Sequence, residues 1–119
     1  MFESFKLNRI IKKSIDKTIA MIGKGCPEII FHTYYGAFHL APQNLVIWYI
    51  FKTDTDLSDA AESGYCKEIE ELTIKNLISL GYPERAFALN DMGGKASVCF
   101  ASQEDIDKKA DGDYRIYFQ

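Results

Sequence analysis

Apolar residues recur at helical spacing near the start of the chain. Leu7, Ile11, Ile15, Thr18 and Ile22 fall on one face, Ile10 and Ile19 flank it, and Arg9, Lys12, Lys13 and Asp16 lie opposite. This pattern predicts an amphipathic helix over 4–22 that covers a sheet with its lysines in solvent. Gly23 and Gly25 end it, and Pro27 prevents its resumption. The period then changes from helical to two. Over 28–35, Ile29, Phe31, Thr33 and Tyr35 point one way and Ile30, His32 and Tyr34 the other, as in a strand. Residues 44–52 are apolar on both faces, which predicts a central strand. Gly36 and Pro42 in the intervening segment make the pair an antiparallel hairpin with a long loop.

An acidic stretch follows, with Asp56 or Ser58 as helix cap. Tyr65, Ile69, Leu72, Thr73, Leu77 and Leu80 share a face from there to Gly81, so a long central helix is expected. Gly64 marks an irregularity in it, or the true start of its longer part. Residues 85–89 fit a short strand or a single helical turn, 90–94 a turn, and 95–101 a strand. Ser102 caps a short helix, with Asp105 at its third position, and Asp111-Gly112 ends it. Residues 114–118 close the series as a strand.

The predicted order is α-β-β-α-(β)-β-α-β. It describes a single α+β domain over 1–119, with a mostly antiparallel four- to five-stranded sheet. The first and central helices are expected on one face, and a tyrosine-rich second face is expected to be partly exposed. A chain of 119 residues, 47% apolar and 26% charged, supports one folded domain and argues against disorder.

Three cysteines, Cys26, Cys66 and Cys99, lie too far apart for a disulfide framework or a zinc site. Free thiols in a reducing cytoplasm are expected, with no metal and no cofactor. No apolar run approaches the ~20 residues of a membrane span, and the first residues lack the apolar core of a secretory leader.

Charge sharpens the picture. Before Gly25 there are six basic residues and two acidic ones, whereas the whole chain carries a net charge of -3. Between Thr53 and Glu71 lie seven acids, Asp54, Asp56, Asp59, Glu62, Glu68, Glu70 and Glu71, against the one base Lys67. A second acidic group, Glu104, Asp105, Asp107, Asp111 and Asp113, is tempered by Lys108 and Lys109. The segment around Asp54, Asp56 and Asp59 lacks the glycine and terminal glutamate of a calcium loop. Acids at a helix start and on a solvated surface account for part of the pattern. An acidic face that steers a basic partner accounts for its concentration.

Catalytic signatures are missing. His32 and His39 have no acid between them to orient either ring, no serine sits in a nucleophile elbow, and Gly93-Gly94 lacks a nucleotide fingerprint. Lys52, Lys95 and Arg115 are too sparse among the strands for an aromatic nucleic-acid surface.

The sequence therefore predicts a small, non-catalytic, cytoplasmic acidic binding protein. Its concrete form is an immunity-like inhibitor that occludes a basic protein partner such as a toxin. Asp54, Asp56, Asp59 and Glu62 are expected to engage the partner, with Tyr34 and Tyr35 as anchors. The alternative is a small enzyme or small-molecule-binding domain. Its pocket would lie between the tyrosine-rich sheet face and the 36–43 loop and use His32, His39, Trp48 and Tyr117. Neither a nucleic acid nor a membrane is expected as partner.

Overall fold

The computed structural model describes residues 2–22, 27–88, 94–113 and 117–118, with side chains from Lys6 onward. Its elements run α1 (Phe2–Ile22), β1 (Ile29–Tyr35), β2 (Val46–Phe51), α2 (Asp54–Glu62), α3 (Tyr65–Ser79), β3 (Ser97–Ser102) and α4 (Gln103–Ala110). Short 3-10 turns occupy Pro42–Asn44 and Glu84–Phe87. The single α+β domain is as expected, but the sheet is not.

Among the described residues the sheet has three strands in the order β1-β2-β3. The β1–β2 hairpin is antiparallel, with Tyr34 opposite Ile47, His32 opposite Tyr49, and a bulge between Ile29 and Phe31. β3 runs parallel to β2, with Val46 opposite Ser97 and Phe51 opposite Ser102. The sheet is therefore mixed rather than mostly antiparallel. The physical reason is the connection: α2 and α3 carry the chain back to the starting end of β2, and such a helical crossover joins parallel neighbours. Residues 84–87 form a 3-10 turn, not a fourth strand. Of the strand expected at 114–118, Tyr117 and Phe118 are described, and the Tyr117 N–H donates to the Asp113 carbonyl at helical spacing. The turn expected at 90–94 lies outside the described residues except for Gly94, as do Gly23, Gly25 and Cys26.

The long central helix divides in two. Gly64 takes a left-handed φ of 85° between α2 and α3, which an L side chain rarely adopts. The cap of α2 is Thr53, not Asp56 or Ser58: its hydroxyl accepts the Asp56 N–H at 3.0 Å. Ser102 caps α4 as expected, accepting the Asp105 N–H at 3.0 Å.

β2 is central and buries side chains on both faces. Ile47, Tyr49 and Phe51 pack with Ile10, Ile11 and Ile15 of α1 and Ile69 and Leu77 of α3. Ile50 packs on the opposite face with Ala101 and Ile106 of α4, joined by Trp48, Tyr117 and Phe118. The first core contains a polar chain at the meeting of α1, α3 and β2. The Tyr49 hydroxyl lies 2.8 Å from Thr73 Oγ1, which donates to the Ile69 carbonyl at 2.7 Å. Asn76 donates to Thr18 Oγ1 at 2.9 Å, and Thr18 donates to the Ser14 carbonyl at 2.8 Å. Each of these buried groups is thereby satisfied, which removes most of the cost of burying it. Burial pushes the Tyr49 phenol up to about 12. Among the described residues, no helix is long and apolar enough to cross a membrane.

Candidate functional site

The parallel pairing of β2 and β3 brings two helix starts together. α2 begins at Asp54, shortly after β2, and α4 begins at Gln103, directly after β3. Their first turns interlock. The Asp54 N–H donates to Glu104 Oε1 at 2.9 Å, the Ser102 hydroxyl donates to the Asp54 carboxylate, and Lys108 reaches the same carboxylate at 3.4 Å. Nearby, the Tyr117 hydroxyl donates to Asp105, and Lys109 lies 3.3 Å from it. The Tyr117 hydrogen bond, followed by the two lysines, holds the Asp105 carboxyl below its usual range. Burial and the Asp105 charge push the Tyr117 phenol up to about 12. Asp54 therefore ties the two helix starts together, and Asp105 ties the start of α4 to Tyr117.

The other acids of the 53–71 segment are placed differently. Asp56 is half-buried in the first turn of α2, whereas Asp59 and Glu62 are exposed in its last turn. Glu68 and Glu71 are exposed on α3, and Glu70 is half-buried. Asp59 and Glu62 are three residues apart, as are Glu68 and Glu71, so each pair shares a helix face. The ion pairs among the described residues are Lys108–Asp54 and Lys109–Asp105, and neither involves these four carboxylates. A helix start does not explain Asp59 and Glu62. At the carboxyl end of α2 the macrodipole disfavours acids, and the amino end of α3 three residues on offsets only part of that.

The expected aromatic anchors lie elsewhere. Tyr34 and Tyr35 are adjacent strand residues and point to opposite faces of the sheet. The Tyr34 hydroxyl donates to Asn8 of α1, and its ring packs 6.2 Å from Phe38. Tyr35 accepts the Trp48 indole N–H at 3.2 Å and lies 6.0 Å from Phe118. Both tyrosines pair with the first residues of β2, Val46 and Ile47, while α2 follows its last. The strand rise puts about 17 Å between those ends. The tyrosines therefore lie near the end of β2 opposite the start of α2.

The alternative residue set is divided as well. His32 lines a shallow groove with Lys12 and Asp16 of α1. His39 lines a different cleft of about 290 Å³, bounded by Lys6, Ile10, Phe38, Pro42 and Arg85. Trp48 and Tyr117 sit on the α4 side with Phe118, whose ring is 4.8 Å from Trp48 and 5.2 Å from Tyr117. The cleft of the 36–43 loop is therefore walled by α1 and the 84–87 turn, and Trp48 and Tyr117 are not among its lining residues. The sequence did not reveal this cleft, because its walls come from three segments far apart along the chain.

Among the described residues there is no group of three or more histidines, cysteines or carboxylates placed to hold a metal ion. Cys66 and Cys99 are free and half-buried, and burial pushes both thiols up, away from the reactive thiolate form. Compared with protein-family models, curated proteins and solved structures, the chain matches none.

Proposed function

We propose that this chain is a small, non-catalytic protein that captures a basic protein partner on the exposed acidic surface of α2 and α3 and acts by occlusion. The reading rests on one observation: Asp59, Glu62, Glu68 and Glu71 stand as two like-charged pairs, exposed and without a cation partner among the described residues. At the carboxyl end of α2 the Asp59–Glu62 pair weakens its own helix, by roughly 0.2–0.5 kcal/mol. A charge arrangement that works against its own element is what a docking face for cationic side chains requires, because clustered charge steers encounter and raises the association rate. Asp54 fixes the start of α2 through Ser102, Glu104 and Lys108. An inhibitor of a basic toxin fits this chemistry, and the free thiols Cys66 and Cys99 suit a reducing cytoplasm.

The test is affinity capture from an extract of the source cells, using the full chain and the variant Asp59→Lys/Glu62→Lys, followed by binding kinetics with the retained protein. A basic protein held by the natural chain and lost by the variant, mainly through slower association, supports the reading. Equal retention by both chains refutes it.

A further inference from the structure

We infer that the cleft between α1, the 36–43 loop and the 84–87 turn binds a small carboxylate with an apolar body. Its rim carries three nitrogen side chains from three separate segments: Lys6 of α1, His39 of the loop and Arg85 of the turn. Its floor is apolar, formed by Ile10, Phe38 and Pro42 among others. Among the described residues no carboxylate lines it, although the chain as a whole is acidic. Lys6 and Arg85 are exposed and belong to neither ion pair of the described residues. A guanidinium and an ammonium over an apolar floor match an anionic head and a greasy tail, with Arg85 able to grip the carboxylate through two N–H groups.

The cleft is also held in shape. The buried Tyr82 ring sends its hydroxyl to the Pro42 carbonyl at 2.5 Å, tying the loop to the segment that carries Arg85. Asn44 closes the loop on itself through the Ala37 carbonyl at 3.1 Å. A wall fixed before the ligand arrives lowers the ordering cost of binding. The volume of about 290 Å³ corresponds to roughly ten waters at ~30 Å³ each, enough for a short alkyl or single-ring carboxylate. This inference does not depend on the acidic surface of α2 and α3.

Octanoate, 1-octanol and acetate, each titrated into the isotopically labelled full chain by amide NMR, test it. Octanoate is expected to give saturable shifts over 38–42 and 81–85. The uncharged alcohol and the tailless acetate are each expected to bind about tenfold more weakly or worse. Lys6→Gln/Arg85→Gln, both at exposed positions, should lower octanoate affinity about tenfold, as two exposed ion pairs of ordinary worth would. Asp59→Lys/Glu62→Lys should leave octanoate affinity unchanged, which separates this site from the proposed docking surface. Octanol binding as tightly as octanoate, shifts centred on the α4 face, an unaffected double variant, or no saturable shift would each overturn the inference.

Discussion

The Ser102 hydroxyl donates to the Asp54 carboxylate across 48 positions of sequence, while the same oxygen accepts the Asp105 N–H and caps α4. One serine therefore both starts its own helix and fixes the first residue of another. The reciprocal bond from the Asp54 N–H to Glu104 closes the link. Removing the hydroxyl strips a cap and leaves the Asp54 carboxylate with Lys108 as its partner here. Ser102→Ala is expected to lower the unfolding free energy by about 1–2 kcal/mol. Urea denaturation measures this, and an unchanged midpoint would show the link to be idle.

Tyr49 makes stability depend on alkaline pH. Its folded pKa is raised by burial to about 12 from an ordinary value near 10, so the unfolded chain loses this proton first. Stability is therefore complete below pH ~10 and declines as the pH rises toward ~12, by up to roughly 2–3 kcal/mol from this group. Tyr82 and Tyr117 are raised as well and add to the fall. Tyr49→Phe should flatten the decline over that window, read from unfolding midpoints at stepped pH. An identical slope in the variant would contradict this account.

Gly36 and Gly64 both have positive φ, yet their substitution should differ in cost. At Gly36 an added Cβ would come within 1.9 Å of the Asn44 backbone oxygen, whereas at Gly64 nothing lies within 4 Å. Gly64→Ala is expected to cost about 1–2 kcal/mol, the strain of a left-handed alanine. Gly36→Ala adds a backbone collision that must displace the loop, so its cost should exceed that of Gly64→Ala. Denaturation midpoints rank the two, and equal costs would contradict the close approach at Gly36.

Charge reversal on the acidic surface should spare the fold. Asp59→Lys/Glu62→Lys exchanges one like-charge pair for another but places cations at the carboxyl end of α2, so stability should hold or rise by a few tenths of a kcal/mol. Thermal unfolding checks this. A loss above ~1 kcal/mol would mean that these carboxylates support the structure.

Much of this architecture was legible from period alone. The apolar stripe of α1, the doubly buried β2 and the Ser102 cap follow from residue spacing, and Thr18 and Thr73 interrupted apolar stripes where the buried polar chain now lies. The divided central helix was foreshadowed by Gly64. Strand direction was not legible, because an alternating pattern at 97–101 reads the same in parallel and antiparallel pairing. The distance between the tyrosines and the acids was not legible for a related reason. Period two sends Tyr34 and Tyr35 to opposite faces, and the distance from either to α2 depends on which end of β2 the helix leaves. Arg85 and Lys6 meet His39 only through tertiary packing, which no local spacing encodes.

The parallel partner of Val46 is Ser97, so the central strand waits for a segment synthesised some fifty residues later. On the ribosome, the run from Val46 to Phe51 has β1 along one side, while its other edge remains unpaired until the two-helix excursion has emerged. A short, apolar, uncharged β-former left open in this way is prone to self-association. Chaperone demand during translation should therefore end near the emergence of β3, rather than when the first hairpin forms.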